Sequence, residues 1–336
     1  MTRAFTVDLH GHLLVPAIEP LVAGRAEKLA EPELQRRTMG AASVEHNARV
    51  MMPAIAAKLV SADARIADLD RMGIDLQVVS PSPNQYYYWA DRDLAENLVL
   101  AQNEAIAEAC AKHPERLKGL GNVALQHREL APRQLEHAVR ELGLAGVEIS
   151  TQVEGRELCD DALEPFWARA ESLGAIVFIH PFGTSLGERA SRYYLQNLVG
   201  NPAETAIALS YLIFGGTLDR HPGVKIVAAH GGGYLPAYAS RSDHGFDVRP
   251  EAHTCRLRPS EYLKRIFFDS LLYEPAALRR LIDVVGASQV VVGTDYPFDM
   301  GHEAVHALVD AVPGLGDQER RAILGGNARR LLSLRA

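Results

Sequence analysis

Eight short apolar runs recur along this chain of 336 residues, and the stretches between them have the spacing of amphipathic helices. The eight runs, which we predict as strands, span residues 5–10, 74–80, 117–123, 145–150, 175–180, 224–230, 265–270 and 289–295. Several are apolar at consecutive positions, as expected for parallel strands that are buried on both faces. Eight strands that alternate with helices predict a (β/α)8 barrel.

The helical stretches favour the same architecture. They span residues 62–72, 93–113, 131–142, 162–173, 203–214 and 274–285. Glycines stand at or just past helix ends, shortly before strands, at Gly73, Gly143, Gly174 and Gly286. A doubly wound parallel sheet is the alternative fold. It usually carries a Gly-rich phosphate-binding loop after an early strand, and this sequence has no such loop.

Two segments interrupt the repeat. Residues 13–61 follow the first strand and show little periodicity before about residue 44. Long loops in compact domains tend to be functional, so we expect this insertion to cover the catalytic face as a cap or to form a subunit contact. Residues 182–200 follow the fifth strand and should lie at the mouth of the pocket. We expect residues 1–336 to form a single domain.

Side chains that can bind metals stand at the C-terminal ends of four predicted strands, at His10, His180, His230 and Asp295. His12 lies two residues beyond His10, and alternate residues of a strand point to the same side. The two imidazoles can therefore face one point. Barrel enzymes place their chemistry at this end of the strands, so we predict the functional site there.

One divalent metal ion per subunit is the expected cofactor, bound by His10, His12, His180 and Asp295. Imidazole nitrogens and a carboxylate oxygen suit zinc, the expected ion, with manganese or iron as alternatives. Such a set leaves a coordination position for water or substrate, as in catalytic sites. We expect no organic cofactor.

His230 ends the sixth predicted strand and is not needed to complete that ligand set. We predict that it acts as a catalytic acid/base, because a neutral histidine can accept and deliver protons near neutral pH. A fifth ligand or a buried hydrogen-bonding residue is the alternative. The three glycines that follow, 231–233, allow either a close approach to a ligand or a tight turn.

Composition excludes several other classes of protein. The net charge of −7 and the lack of a long basic run argue against nucleic-acid binding. No apolar run approaches the ~20 residues that span a bilayer, so we expect no membrane association. Three widely spaced cysteines fit neither a disulfide framework nor a Cys-rich zinc site and suit a cytoplasmic location. The first predicted strand starts at residue 5, which leaves no room for a signal peptide.

With these residues in place, the chain resembles the amidohydrolase superfamily, and within it the branch of 2-amino-3-carboxymuconate-6-semialdehyde decarboxylase and its relatives. The matching segments run in order along the chain at residues 8–12, 180–181, 201–205, 230–233 with Arg241, 259–262, 268–270 and 293–298. Some superfamily members use a carbamylated lysine on the fourth strand for a binuclear site. Here that strand reads Val-Glu-Ile-Ser at 147–150, which favours a mononuclear site.

The resemblance implies a metal-dependent, non-oxidative decarboxylase of a small aromatic or muconate-type carboxylic acid. In this branch the equivalents of His10, His12, His180 and Asp295 bind the metal, and the equivalent of His230 is the acid/base. The resemblance also implies a homodimer or larger homo-oligomer in which Arg241 reaches the neighbouring subunit's pocket and holds a substrate carboxylate.

Four further residues are predicted to contact substrate. Phe182 stands where this branch commonly has an indole, and Phe298 ends the last matching segment. Tyr88 belongs to an aromatic run that could either line the pocket or pack on the first loop. The second carboxylate-binding residue falls near Arg49 or Lys58, neither of which aligns cleanly; we take Arg49 as the candidate.

Two other functions remain open from the sequence. The same centre could activate water as a hydrolase or hydratase of a lactone, an amide or a dienoate. A metal-stabilised binding or scaffold protein is the second rival, but the presence of His230 beside a full ligand set argues against it.

Overall fold

The computed structural model of this protein describes residues 3–334. Its eight main strands correspond one to one with the eight predicted from the sequence. They are β1 (Val7–Leu13), β2 (Leu76–Pro81), β3 (Leu117–Gly119), β4 (Gly146–Ile149), β7 (Ile176–Ile179), β8 (Lys225–Ala228), β9 (Phe267–Asp269) and β10 (Val290–Val291). A small antiparallel hairpin, β5 (Gln152–Val153) with β6 (Arg156–Glu157), lies between β4 and β7 in the chain.

The eight strands close into a barrel. One parallel sheet has the order β1-β2-β3 and the other β10-β9-β8-β7-β4. Parallel bridges join their edges, from Asp8 to Val292 at one seam and from Gly121 to Val147 at the other. Backbone hydrogen bonds such as Leu9 N to Val292 O, 2.8 Å, complete the first seam. The predicted (β/α)8 barrel is confirmed.

Helices surround this barrel and cover one end of it. Their bounds are α1 (Glu19–Val22), α2 (Ala26–Met39), α3 (Ala41–His46), α4 (Met52–Val60), α5 (Ala62–Met72), α6 (Arg92–Lys112), α7 (Leu130–Arg140), α8 (Glu164–Leu173), α9 (Asn201–Phe214), α10 (Thr217–Arg220), α11 (Ala239–Val248), α12 (Pro259–Leu263), α13 (Pro275–Val285), α14 (Val305–Asp310), α15 (Asp317–Arg321) and α16 (Asn327–Leu331). The six predicted helices correspond to α5, α6, α7, α8, α9 and α13.

The barrel interior is apolar at its N-terminal end. Val7, Leu9, Phe178 and Val291 belong to one buried cluster there, and Ala328 of α16 packs in the same cluster. A larger cluster lies between the strands and the surrounding helices. Because the apolar cluster fills one end, the polar side chains that end the strands meet at the other.

Residues 13–61 end β1 and then fold into α1–α4 with short connecting turns. Several of their side chains, among them Leu14, Gln35 and Met51, line the cavity above the strand ends. The insertion therefore lies over the predicted catalytic face. Across residues 3–334 no helix combines the length and apolar character needed to cross a membrane.

Candidate metal centre

A β-bulge in β1 places His10 and His12 inside the barrel. Between Asp8 and Gly11 the pairing with β2 gains one extra residue on β1. An extra residue switches the face on which the following side chains lie, and Leu9 before it already belongs to the interior cluster. As a result His10 also points inward, with its ring 4.9 Å from that of Phe178.

His10, His12 and Asp295 converge on one point. The Nε2 atoms of the two histidines lie 3.1 Å apart. Oδ1 of Asp295 lies 3.4 Å from Nε2 of His10 and 3.1 Å from Nε2 of His12. The imidazole of His180, at the end of β7, packs edge-on at 4.8 Å from the ring of His12.

His230 borders the same point from the next strand. Its ring centroid lies 5.0 Å from that of His180, and its Nε2 lies 3.9 Å from Oδ2 of Asp295. Ligand atoms of His10, His180, His230 and Asp295 all lie within 4.8 Å of one another. The structure thus brings together every residue of the predicted ligand set and the predicted acid/base.

The donor atoms of this centre fit a metal ion. Both ring nitrogens of His180, Nδ1 of His230 and Oδ1 of Asp295 are buried and lack a hydrogen-bond partner among the described residues. Buried polar atoms without partners are costly and rare. An imidazole nitrogen of His180 and Oδ1 of Asp295 are ligand atoms that suit divalent first-row ions, so such an ion would give each of these two side chains a partner.

The electrostatics of the centre favour the metal-binding protonation states of His180 and Asp295. Burial and the neighbouring His12 and His10 hold the pKa of His180 well below its usual value, which leaves a neutral imidazole. Burial raises the pKa of Asp295, but His10, His12 and His230 outweigh it and hold that pKa well below the usual value. Asp295 is therefore a carboxylate.

Asp269, at the end of β9, links His10 to His230. Its Oδ2 accepts a hydrogen bond from Nδ1 of His10 at 2.7 Å and from the backbone N–H of His230 at 3.0 Å. Its Oδ1 accepts from the backbone N–H of Gly231 at 2.8 Å. Burial lowers the pKa of His10, but the carboxylates of Asp295 and Asp269 outweigh burial and raise it to about 10. Because Asp269 binds Nδ1 of His10, the other ring nitrogen, Nε2, faces the centre.

Asp8 holds the ends of three strands together beneath the site. It accepts hydrogen bonds from the backbone N–H of His10 (3.0 Å), from the side chain of Gln77 (2.6 Å), and from the N–H and hydroxyl of Thr294 (3.0 and 2.6 Å). The guanidinium of Arg65, on α5, is fully buried and donates to Gln77 at 2.7 Å and to the carbonyl of His12. Sequence reasoning assigned no role to Arg65.

Glu148, on the fourth strand, is a second buried polar residue to which the sequence reasoning assigned no role. Its carboxyl group accepts hydrogen bonds from the hydroxyls of Ser80 and Tyr86, and it lies 3.8 Å from Nδ1 of His12. Burial raises the pKa of this carboxyl group, and its hydrogen bonds and the nearby His12 only partly offset that effect. A buried Glu within an apolar strand was the available signal.

A cavity of about 380 Å³ opens from the metal-binding groups towards the cap. Phe182 and Phe298, the two phenylalanines predicted to contact substrate, line it, and the ring of Phe298 lies 5.4 Å from that of His12. Tyr88 is buried instead, stacks on Tyr86, and accepts a hydrogen bond from the backbone N–H of Ser150. Within the aromatic run, Tyr87 contacts the first loop, through Glu19 and Lys28, and the predicted contact of Tyr88 with substrate stays a prediction.

The three basic residues predicted to bind substrate do not line the cavity of their own chain. Arg49 is exposed and pairs with Glu45 at 2.8 Å. Lys58 pairs with Asp68 at 2.7 Å. Arg241 is exposed on α11. Their roles in substrate binding stay predictions.

The glycine loop after His230 has a defined conformation. Gly231, Gly232 and Gly233 all have positive φ angles, and so has His230 itself (φ 55°). A Cβ on Gly233 would lie 2.0 Å from the backbone oxygen of Pro202. The loop therefore packs against the start of α9, which fits the tight-turn reading.

Comparisons with known proteins place these features in context. A family model described as amidohydrolase matches residues 7–334. The 2-amino-3-carboxymuconate-6-semialdehyde decarboxylase of Dictyostelium discoideum is 38% identical over 274 residues, which are 81% of this chain and 76% of that protein.

Solved structures show the same similarity. The 5-carboxyvanillate decarboxylase of Sphingomonas paucimobilis superposes with a TM-score of 0.86 at 25% identity, over 99% of this chain and 100% of the other. The 5-carboxyvanillate decarboxylase of Novosphingobium aromaticivorans, solved with manganese and 4-hydroxy-3-methoxy-5-nitrobenzoic acid, superposes with a TM-score of 0.84 at 22% identity. That superposition covers 98% of this chain and 96% of the other.

Proposed function

Because this chain belongs to the amidohydrolase family, we propose that it is a metal-dependent, non-oxidative decarboxylase of a small aromatic or muconate-type carboxylic acid. The named relatives are carboxy-lyases, which agrees with the branch recognised from the motifs. The observation that carries the proposal is the convergence of His10, His180, His230 and Asp295, whose ligand atoms lie within 4.8 Å of one another, at the floor of a cavity.

In this proposal His10, His12, His180 and Asp295 would hold one divalent ion per subunit. When bound, the ion would polarise a substrate oxygen or lower the pKa of a bound water molecule to about 7. Zinc and manganese both suit the donor set, and manganese is the ion present in a solved relative. The metal content of the purified protein distinguishes them.

His230 would supply the proton. In decarboxylation the bond between the ring carbon and the carboxyl carbon breaks, its electron pair stays on the ring carbon, and carbon dioxide leaves. That carbon then takes a proton, which the imidazole of His230 can deliver from its place on the cavity wall. Asp269 acts through His230 as a positioning residue, because it accepts the hydrogen bond from the backbone of His230.

The other parts of the site would orient the acid and exclude water. Phe182 and Phe298 offer apolar surface to a ring. The cap residues Leu14 and Met51 line the same cavity and would shield the reaction from solvent. The partner subunit's Arg241 would bind the carboxylate bidentately, which a lysine could not do.

We also propose that the chain acts as a homodimer. Arg241 is exposed on α11, and the large apolar side chains of Tyr238 and Val248, at the start and end of the same helix, are 61% and 54% exposed. Exposed apolar side chains of this size are common at protein interfaces. The three free cysteines are compatible with the cytoplasmic location proposed from composition.

The test is to incubate the metal-replete protein with hydroxybenzoic and muconic acids and to measure carbon dioxide together with the products. We expect carbon dioxide in equimolar amount with the decarboxylated product. Hydrolysis of lactones or hydration of dienoates without carbon dioxide would instead support the rival use of the same centre. No turnover of either kind, with metal bound, would favour a binding protein.

A further inference from the structure

The wall of the cavity contains six carboxamide side chains, at Gln35, Asn47, Asn84, Gln196, Asn197 and Asn201. Carboxamides both donate and accept hydrogen bonds without carrying charge. Among the described residues, the formally charged side chains on this wall are the carboxylates of Asp295 and Asp299. The wall is thus suited to neutral polar substituents on a ring and disfavours a second substrate carboxylate.

Asn201 differs from the other five carboxamide side chains of this wall in one observed respect. Its Oδ1 atom is buried and has no hydrogen-bond partner within residues 3–334. Its backbone oxygen is already engaged, because it accepts from the hydroxyl of Thr205 at 3.1 Å. A buried amide oxygen without a hydrogen-bond partner is less stable than a paired one, so a donor from outside the chain would be stabilised there.

Asn201 lies next to a residue that contacts the glycine loop after His230. Asn201 is the first residue of α9, and Pro202, its neighbour, contacts the loop that follows His230 through Gly233. Asn201 and His230 line the same cavity. A molecule that fills this cavity would therefore face both Asn201 and His230.

We propose that Asn201 is a specificity-determining residue, whose side-chain oxygen accepts a hydrogen bond from a neutral donor, a hydroxyl or an amino group, on the substrate ring. This inference rests on the proposed function for the identity of the substrate as an aromatic acid. It goes beyond that function because it names the kind of ring substituent that the enzyme recognises and the residue that binds it. A methyl ether at the same ring position lacks the donor and would leave the oxygen unpaired.

The test compares matched pairs of acids that differ in one donor. The pairs are 2,4-, 2,5- and 2,6-dihydroxybenzoate, each against the acid whose second hydroxyl is methylated and whose 2-hydroxyl is kept. For the metal-replete wild type we expect kcat/KM and the binding constant from calorimetry to favour the free hydroxyl by about tenfold or more at one ring position.

Two variants of Asn201 and one control separate recognition from folding. Asn201→Leu has a similar volume without the acceptor, and we expect it to remove the hydroxyl preference. Asn201→Asp keeps an acceptor oxygen, so we expect it to weaken binding of both acids of a pair while it retains their ratio. Asn97→Leu alters an exposed asparagine on α6, away from the cavity. It should change neither kcat/KM nor the binding constant.

The outcomes distinguish this inference from the proposed function. If carbon dioxide forms but Asn201→Leu leaves every hydroxyl-to-methoxyl ratio unchanged, the inference is wrong and the function stands. If no carbon dioxide forms from these acids or from the muconic acids of the activity test, but calorimetry shows the hydroxyl preference and its loss in Asn201→Leu, the function is wrong and the recognition stands. If the wild type neither binds nor converts any acid of either set, both are wrong.

Discussion

Asp269 is the residue on which the geometry of the metal centre most directly depends. Its two oxygens accept four hydrogen bonds, from Nδ1 of His10 and from the backbone N–H groups of His230, Gly231 and Leu271. All of these partners are donors, so the site requires two acceptor oxygens. A carboxylate is the side chain that supplies both.

Asp269→Asn should weaken metal binding by about 10–100-fold, because one oxygen becomes an NH₂ group that faces donors and His10 loses its orientation. Competition with a chelator of known affinity measures this change. Asp283→Asn on α13 is the matched control, since Asp283 is an exposed partner of Arg279. A folded Asp269→Asn protein with wild-type metal affinity would contradict the positioning role.

His230→Asn should lower kcat by about 10²–10⁴-fold while metal content stays at the wild-type level. The reason is that the proposed role of His230 is proton delivery, and the four proposed ligands remain. Metal analysis and a carbon dioxide assay on the same sample measure both quantities, with His244→Asn on the exposed face of α11 as the control. Parallel loss of metal and activity would instead identify His230 as a fifth ligand.

Among individual residues, the sequence predicted those that stand at the ends of apolar runs. His10, His12, His180, His230 and Asp295 were all recognisable because a strand end in a barrel faces the site. Arg65 was not, since nothing in its local sequence indicates that the closed barrel brings it beside Gln77. For Glu148 the charged residue within an apolar strand was a signal, but it does not identify His12 as the neighbour. Their roles depend on contacts between segments that are distant in the chain.

Strands and helices were predicted where the hydrophobic periodicity of the sequence was strong. All eight strands were identified, but their bounds shifted: β1 runs from Val7 to Leu13 because its pairing continues beyond the apolar run to Pro81 of β2. The bulge in β1 was not predicted, because an extra residue in a ladder is defined only by its partner strand. Helix α2 was also missed, since none of its side chains is buried and it has no apolar face to recognise.

The loop after β8 provides a prediction at the scale of elements. Gly233→Ala should destabilise the fold by about 2–4 kcal/mol and reduce activity, because the added Cβ would collide with the backbone of Pro202 at a residue with positive φ. Thermal or urea unfolding measures the change. Gly245→Ala is the control, since Gly245 lies within α11 and a Cβ there meets nothing within 4 Å. Equal stability of the two variants would show that the loop adapts.

In the molecule as a whole, closure of the barrel brings the residues of the candidate site together. The proposed ligands span residues 10 to 295, and the seam between β1 and β10 brings the two ends of that span together, with Asp295 N donating to His10 O at 2.9 Å. The alternation of eight strands and helices was sufficient to predict this architecture. It could not indicate whether copies of the chain associate, because exposed side chains carry no periodic signal for a partner.

The assembly prediction concerns Arg241, which is exposed on α11 and lies apart from the cavity of its own chain. If the partner subunit's Arg241 holds the substrate carboxylate, Arg241→Ala and His230→Asn proteins should each be inactive as homodimers. A heterodimer of the two has one intact site, which combines His230 of one chain with Arg241 of the other. Co-expression with two affinity tags should therefore restore about a quarter of wild-type activity at random pairing in a two-fold dimer.

Isolation of the doubly tagged heterodimer should raise the recovered activity to about half, since one of its two sites is complete. Arg241→Lys paired with His230→Asn provides the matched control, because a lysine keeps the charge but not the bidentate geometry and should restore less. Light scattering on each sample verifies that the proteins are dimers. Dimeric heterodimers that recover no activity would place Arg241 outside the partner's site, and active Arg241→Ala homodimers would remove it from substrate binding altogether.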